Sequence, residues 1–175
     1  LSDSITKVLQ HPTVSSKSFL ITIGDRTVSG MVARDQFVGP YQVPVSDYSL
    51  SLRSYTSNNG EVLSIGEKPT IALTNPAASM RMALGEALTN MSGVVIKGLN
   101  NVQVSANWMA ASGKNSDDFA LRSGVEALSK IAVDLKVSIP VGKDSLSMRT
   151  KWSENDSDYE VSSPLSGVIT AMAPV

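Results

Sequence analysis

The sequence contains no cysteine, which excludes disulfide bonds, thiolate metal ligands and a cysteine nucleophile within this chain. Its only histidine is His11, so a metal site built from several histidines is also excluded. No stretch resembles a signal peptide or an apolar run of about 20 residues that could span a membrane. The net charge of −1 gives no electrostatic reason to expect nucleic acid or a membrane surface as a partner. These absences are compatible with the cytoplasm, which is the location we expect.

The composition is that of one ordinary globular domain. The 175 residues are 42% hydrophobic and 18% charged, a balance typical of a chain that is long enough to build its own core. Residues 1–16 form a polar lead-in in this interpretation, and residues 17–175 form the domain. Because the sequence begins at Leu1 rather than at methionine, we expect it to be a piece of a longer polypeptide.

Strand patterns dominate much of the sequence. Ser18–Ile23 and Thr27–Ala33 flank the turn signal Gly24–Arg26, which predicts a β-hairpin. Before this hairpin, His11–Thr13 should break any early helix. Further strands are predicted at Ser46–Tyr55, Val102–Trp108, Val137–Val141, Leu146–Trp152 and Leu165–Ala173, with a polar segment at Ser153–Ser163.

Two long helices are predicted between the strands. The first, Pro76–Ser92, follows the good N-cap Asn75, ends before Gly93 and carries apolar residues at the helical period. The second is the amphipathic segment Ser116–Leu135. Two helices among several strands and hairpins predict an α+β fold with a mixed or antiparallel sheet.

Four polar residues form a candidate site for Mg²⁺ and a nucleotide. Glu86 and Asn90 are four positions apart in the first predicted helix, so their oxygens share one helix face. A carboxylate such as Asp47, inside an apolar stretch, would complete a set of oxygen ligands suited to Mg²⁺. Lys17, before the first predicted strand, would pair with phosphates. On spacing alone, each could equally be an ordinary surface residue, and Asp47 could begin a turn.

Four segments of the sequence resemble one enzyme family. They are Gly24–Asp47 (GDRTVSGMVARDQFVGPYQVPVSD), Leu84–Asn90 (LGEALTN), Ser105–Ala111 (SANWMAA) and Ile139–Met148 (IPVGKDSLSM). In this order they resemble the large phosphoribosylformylglycinamidine synthases, also called FGAR amidotransferases, over roughly Pro12–Val175. The chain looks like the N-terminal subdomain of the second aminoimidazole-ribonucleotide-synthetase-like half of such an enzyme. The resemblance therefore implies the fold of that subdomain.

The resemblance also implies a reaction in purine biosynthesis. In this family, ATP activates the formamide oxygen of formylglycinamide ribonucleotide. Ammonia released from glutamine then displaces phosphate and leaves formylglycinamidine ribonucleotide. The glutaminase step needs a thiolate, which this chain lacks, so the chain by itself is expected to be inactive.

The site residues that the resemblance implies fall into two groups. The first would hold a Mg²⁺-bound ATP or ADP that is not turned over, with one further acidic ligand in the following subdomain; its members are Lys17, Asp47, Glu86 and Asn90. The second would line the substrate cleft and consists of Lys143, Asp144 and Ser145. Taken alone, the second group lacks the spacing of a P-loop and predicts only a hairpin turn with two charges.

The partners implied by the resemblance belong to the same polypeptide. They are the other synthetase half, the following C-terminal subdomain and the glutaminase. Isolated from them, the domain would expose apolar sheet surface from Phe19–Ile23 and Val28–Val32, and we expect it to form a homodimer. Two alternatives stay open. The chain could act only as a structural or nucleotide-holding module, or it could belong to a related enzyme such as aminoimidazole ribonucleotide synthetase or thiamine-phosphate kinase.

Overall fold

The centre of the fold is one six-stranded sheet. The computed structural model describes residues 1–23 and 31–175. The strand order across the sheet is β1-β2-β3-β8-β4-β5, with all neighbours antiparallel except the parallel pair β4 and β5. Their bounds are Val32–Arg34 (β1), Tyr48–Leu52 (β2), Gly60–Gly66 (β3), Gln103–Met109 (β4), Ser138–Ser145 (β5) and Ser166–Pro174 (β8).

Two long helices cover one face of this sheet. They are α4, Pro76–Asn90, and α5, Asn115–Leu135. The Asn75 side chain accepts a hydrogen bond from the backbone N–H of Ala78 at 2.9 Å, as its N-cap position predicts. Alternate residues of β3 and β8 are buried on this face, so the core lies between the sheet and the helices.

The opposite face of the sheet is largely open. Here the alternate residues of β3, β8 and β4 are half-buried or exposed, and Ile65 is 54% exposed. The sheet therefore has one face packed by helices and one face available for contacts.

The remaining elements lie outside the central sheet. The second sheet is an antiparallel hairpin of β6, Arg149–Glu154, and β7, Ser157–Ser162. Three shorter helices are α1, Ser2–Gln10, α2, Ser18–Ile23, and α3, Pro69–Ala72.

The predicted fold class and both long helices are confirmed. The helix predicted at Pro76–Ser92 is α4, which ends at Asn90 and continues as a 3₁₀ turn, Met91–Gly93. The helix predicted at Ser116–Leu135 begins one residue earlier. The helix break predicted at His11–Thr13 is confirmed, because α1 ends at Gln10. The polar lead-in before this break is therefore largely helical.

Two local predictions were wrong, and one strand was not predicted. Ser18–Ile23 is the helix α2 and not a strand, while the predicted turn and residues 27–30 lie outside the described residues. The run Gly142–Ser145 is not a turn, because it continues β5 and pairs with β4. The polar segment Ser153–Ser163, for which no strand was predicted, contains β7 and completes the hairpin of β6 and β7.

Candidate functional site

A cavity of about 560 Å³ opens beside β2 and β3. Asp47, directly before β2, lines this cavity together with Ser49 of β2 and Ile65 of β3. Asp47 is exposed, so its carboxylate is accessible to a ligand.

The backbone on both sides of Asp47 is held by its neighbours. The Nε atom of Arg34 donates to Oγ of Ser46 at 2.9 Å, and that hydroxyl donates to the carbonyl oxygen of Tyr48 at 2.6 Å. The guanidinium of Arg34 also lies over the Tyr48 ring, 4.8 Å from its centroid. Arg34 and Ser46 therefore hold the backbone on both sides of Asp47. The positions of these two residues in the sequence did not indicate this role.

Glu86 is bonded through both of its carboxylate oxygens. Oε1 accepts from Nζ of Lys68 at 2.5 Å, and Oε2 accepts from the backbone N–H of Glu67 at 2.8 Å. The hydrogen bond from Lys68 is the largest cause that lowers the pKa of Glu86, and the Glu67 N–H adds to it against the effect of burial. Glu86 is therefore a carboxylate at neutral pH.

Asn90 lies one turn further along α4 and reaches the same strand end. Its Nδ2 atom donates to the carbonyl oxygen of Ile65 at 3.0 Å. The amide oxygen, which is the atom that would bind a metal, is not the atom used in this bond. Glu86 and Asn90 thus share a helix face, as predicted, and both meet the end of β3.

A close contact between α4 and β3 fixes this arrangement. Oγ of the buried Ser64 donates to the carbonyl oxygen of Ala87 at 2.6 Å. A Cβ atom at Gly66 would lie only 2.0 Å from the carbonyl oxygen of Ala83, so only glycine allows this approach. The absent side chain at Gly66 therefore places Glu86 and Asn90 against the strand.

The structure brings the predicted metal ligands together only in part. Ile65 contacts both parts of the predicted site. It lines the cavity with Asp47, and its carbonyl oxygen accepts the hydrogen bond from Asn90. Asp47 lies at the cavity on the open face of the sheet, whereas Glu86 and Asn90 reach β3 from the helix that covers the other face. Among residues 1–23 and 31–175, no group of three or more His, Cys, Asp or Glu side chains could hold a metal ion.

The other predicted site residues lie in two different places. Lys17 directly precedes α2, whose Leu20 lines the cavity with Asp47; Lys17 is exposed and donates from Nζ to the carbonyl oxygen of Ser15. Lys143 and Ser145 lie on β5 at the far edge of the sheet, where Nζ of Lys143 donates to Oγ of Ser145. Asp144 lies between them and, by strand alternation, on the opposite face.

None of the helices in the described part of the chain is long and apolar enough to cross a membrane.

Comparison with known proteins decides the family. Residues 16–174 match the family model described as the FGAR-AT PurM_N-like domain. The chain belongs to this family. The resemblance to FGAR amidotransferases inferred from the four sequence segments is thereby confirmed.

Solved structures share the fold of this FGAR-AT PurM_N-like domain. Phosphoribosylformylglycinamidine synthase II from Thermotoga maritima has a TM-score of 0.53 and 16% identity, over 74% of this chain and 20% of that chain. PurLQS from T. maritima has a TM-score of 0.55 and 15% identity, over 86% and 27% of the two chains. T. maritima PurL complexed with ATP has a TM-score of 0.55 and 14% identity, over 86% and 26%. The chain thus spans between a fifth and about a quarter of these proteins.

Proposed function

We propose that this chain is one domain of an ATP-dependent ligase that makes formylglycinamidine ribonucleotide from formylglycinamide ribonucleotide and glutamine in purine biosynthesis. The observation that carries the proposal is the family match over residues 16–174. In the reaction, the formamide oxygen leaves as phosphate, and nitrogen from glutamine takes its place. The glutaminase and the remaining synthetase domains would be other parts of the same cytoplasmic polypeptide.

The domain's own contribution would be a nucleotide site at the end of β3. T. maritima PurL, which shares the fold, has been solved with ATP. Asp47 and Glu86 would offer carboxylate oxygens and Asn90 its amide oxygen, a donor set that suits Mg²⁺. The metal would neutralise phosphate charge. Lys17 would contribute a further positive charge toward the phosphates.

Metal binding at this site would depend on the ionisation of Glu86. The lowered pKa of this carboxyl group keeps it ionised, as a metal ligand must be. However, Lys68 already occupies Oε1. A Mg²⁺ ion that binds this oxygen would compete with the ammonium group and be repelled by its charge, so we expect metal affinity to depend on Lys68.

A purely structural role is the second candidate, and the contacts of Glu86 favour it. With Lys68 on one oxygen and the Glu67 N–H on the other, this carboxylate ties α4 to the segment after β3 without any metal. In this case Glu86 would be needed for stability and not for nucleotide binding.

Calorimetry with ADP in the presence and absence of Mg²⁺ separates the two candidates. We expect weak, Mg²⁺-dependent binding, because one acidic ligand and one wall of the pocket would come from the following subdomain. Glu86→Ala should abolish the binding heat, whereas Glu126→Ala, a control at a glutamate on α5, should leave it unchanged. Tight ADP that co-purifies with this chain, or weak binding that survives Glu86→Ala, would contradict the proposed site.

An activity assay tests the ligase role separately. The chain alone should show no ATP hydrolysis that depends on formylglycinamide ribonucleotide with either ammonia or glutamine. In the longer ligase, Lys143→Ala on β5 should reduce turnover. Turnover by the isolated chain above that of a Lys143→Ala, Glu86→Ala double variant would contradict this division of roles.

A further inference from the structure

The β6–β7 hairpin turns its polar face toward its own chain. Cross-strand pairing places Arg149, Lys151 and Ser153 on one face of the ribbon, opposite Ser162, Glu160 and Asp158. Nη2 of Arg149 donates to the carbonyl oxygen of Ala111 at 2.8 Å and lies 3.5 Å from Oδ2 of Asp117 in the first turn of α5. This face is thus attached to the loop that leads into α5.

Glu160 strengthens the same attachment. Its carboxylate binds Lys114, the residue before α5, and lies 3.4 Å from Nε of Arg149 and 3.4 Å from Nζ of Lys151. The hydrogen bond from Lys114 is the main reason that the pKa of Glu160 falls to about 2. The network therefore persists at neutral pH and fixes which side of the ribbon faces outward.

The outer face of the hairpin is apolar and exposed. Alternation places Thr150 and Trp152 on it, opposite Val161 and Tyr159. Trp152 is 43% exposed, Tyr159 46% and Val161 59%. The two aromatic rings stack on each other with centroids 5.4 Å apart, which leaves their outer surfaces free. A ribbon with its polar face inward and its aromatic face outward is the reverse of the usual arrangement and marks an interaction surface.

The hairpin tip gives this surface a charge. Glu154 and Asp156 lie at the tip with no lysine or arginine between them, and neither forms an ion pair among the described residues. Asp158 faces the other side, where it accepts a hydrogen bond from Oγ of Ser153 at 2.5 Å. Asn155 and Asp156 both have positive φ angles, 51° and 58°, as a tight type I′ turn requires. The tip therefore presents its negative charge in a defined geometry beside the aromatic pair.

We infer that the outer face of this hairpin, formed by Thr150, Trp152, Tyr159 and Val161, docks on a protein partner that offers an apolar surface bordered by lysine or arginine side chains. The aromatic pair packs against this surface, since Trp and Tyr supply large contact areas at little cost in conformational entropy. The acidic tip meets the basic border and sets the orientation. This surface is separate from the proposed nucleotide site at the end of β3.

A titration of backbone amide NMR signals with two matched peptides tests the inference. One helical peptide carries a leucine face bordered by lysines, and the other has glutamate in place of each lysine. The lysine peptide should shift the signals of residues 149–162, and the glutamate peptide should not. The double variant Trp152→Ser, Tyr159→Ser should bind the lysine peptide about tenfold more weakly, whereas Tyr55→Ser, at an exposed tyrosine elsewhere, should bind it as the unmodified chain does.

Charge reversal at the tip completes the test. Glu154→Lys with Asp156→Lys should weaken binding of the lysine peptide and allow binding of the glutamate peptide. Equal binding of both peptides, binding of neither, or shifts that map away from the hairpin would overturn the inference. It would also be overturned if the same signals moved with the concentration of the chain itself, or on addition of phosphatidylcholine vesicles. The occupant would then be a second copy or a lipid surface.

Discussion

At the scale of single residues, the ion pair of Lys68 and Glu86 is the contact with which a metal at the proposed site would have to compete. We predict that Lys68→Ala raises the pKa of Glu86 toward its ordinary value of 4.5, because the largest cause of its depression is removed. An NMR pH titration of the Glu86 carboxylate measures this directly. Lys130→Ala, which removes an exposed pair on α5, is the control and should leave the Glu86 pKa in place. An unchanged pKa in Lys68→Ala would contradict the assignment.

The same substitution has a defined effect on stability as a function of pH. A carboxylate whose pKa is lowered on folding stabilises the protein above its unfolded pKa, and this contribution is lost as the pH falls through the folded pKa. Lys68→Ala should therefore cost about 1 kcal/mol of unfolding free energy at pH 7, and this difference should shrink below about pH 4.5. Urea denaturation of both proteins at pH 7 and at a pH below about 4.5 measures this difference, which should be larger at pH 7.

Some residues of the candidate site could be predicted from the sequence, and others could not. Glu86 and Asn90 could be paired from their spacing alone, since any helix places positions four apart on one face. Their ligand role stays a prediction. Lys68 and Arg34 could not be found in this way, because Lys68 meets Glu86 only after α4 packs on β3, and Arg34 meets Ser46 only after β1 pairs with β2. Both contacts depend on tertiary structure and not on local sequence.

At the scale of elements, the errors share a physical cause. Ser18–Ile23 is a short apolar run, and such a run fits a helix as well as a strand until tertiary contacts decide. Gly142–Ser145 has the composition of a turn but lies in an edge strand, where polar side chains can face solvent. The long helix α4 was predicted well because its cap, its period and its end signal agree over four turns.

The contact between α4 and β3 gives a sharp prediction at this scale. Gly66→Ala should destabilise the fold by about 2–4 kcal/mol, because the new Cβ would meet the backbone of α4 at Ala83 and Ala87. It should also weaken any nucleotide binding that depends on Glu86. Gly85→Ala is the matched control, since a Cβ there meets nothing within 4 Å and should stabilise α4 by up to about 1 kcal/mol. Equal urea midpoints for the two variants would contradict the close contact.

At the scale of the whole molecule, the open face of the sheet is where we expect the predicted homodimer to form. The surface that we first proposed for it was partly wrong, because residues 19–23 belong to α2 and only Met31 and Val32 of the second segment are described. We expect the face of β3, β8, β4 and β5 opposite the helices to mediate the contact instead, since Val141 on it is 56% exposed. Sedimentation at high concentration should show a dimer that Val141→Lys weakens by about tenfold or more. A monomer at all concentrations would contradict this prediction.

A map of backbone amide shifts on addition of ADP with Mg²⁺ would test the proposed magnesium–nucleotide site residue by residue. We predict shifts at Asp47, at residues 65–68 and at Glu86 and Asn90, and we predict that these shifts disappear when Mg²⁺ is removed by a chelator. Glu86→Ala should remove them as well. Shifts confined to β5 or to the outer hairpin, or shifts around β3 that persist without Mg²⁺, would contradict the assignment of the strand end as a magnesium–nucleotide site.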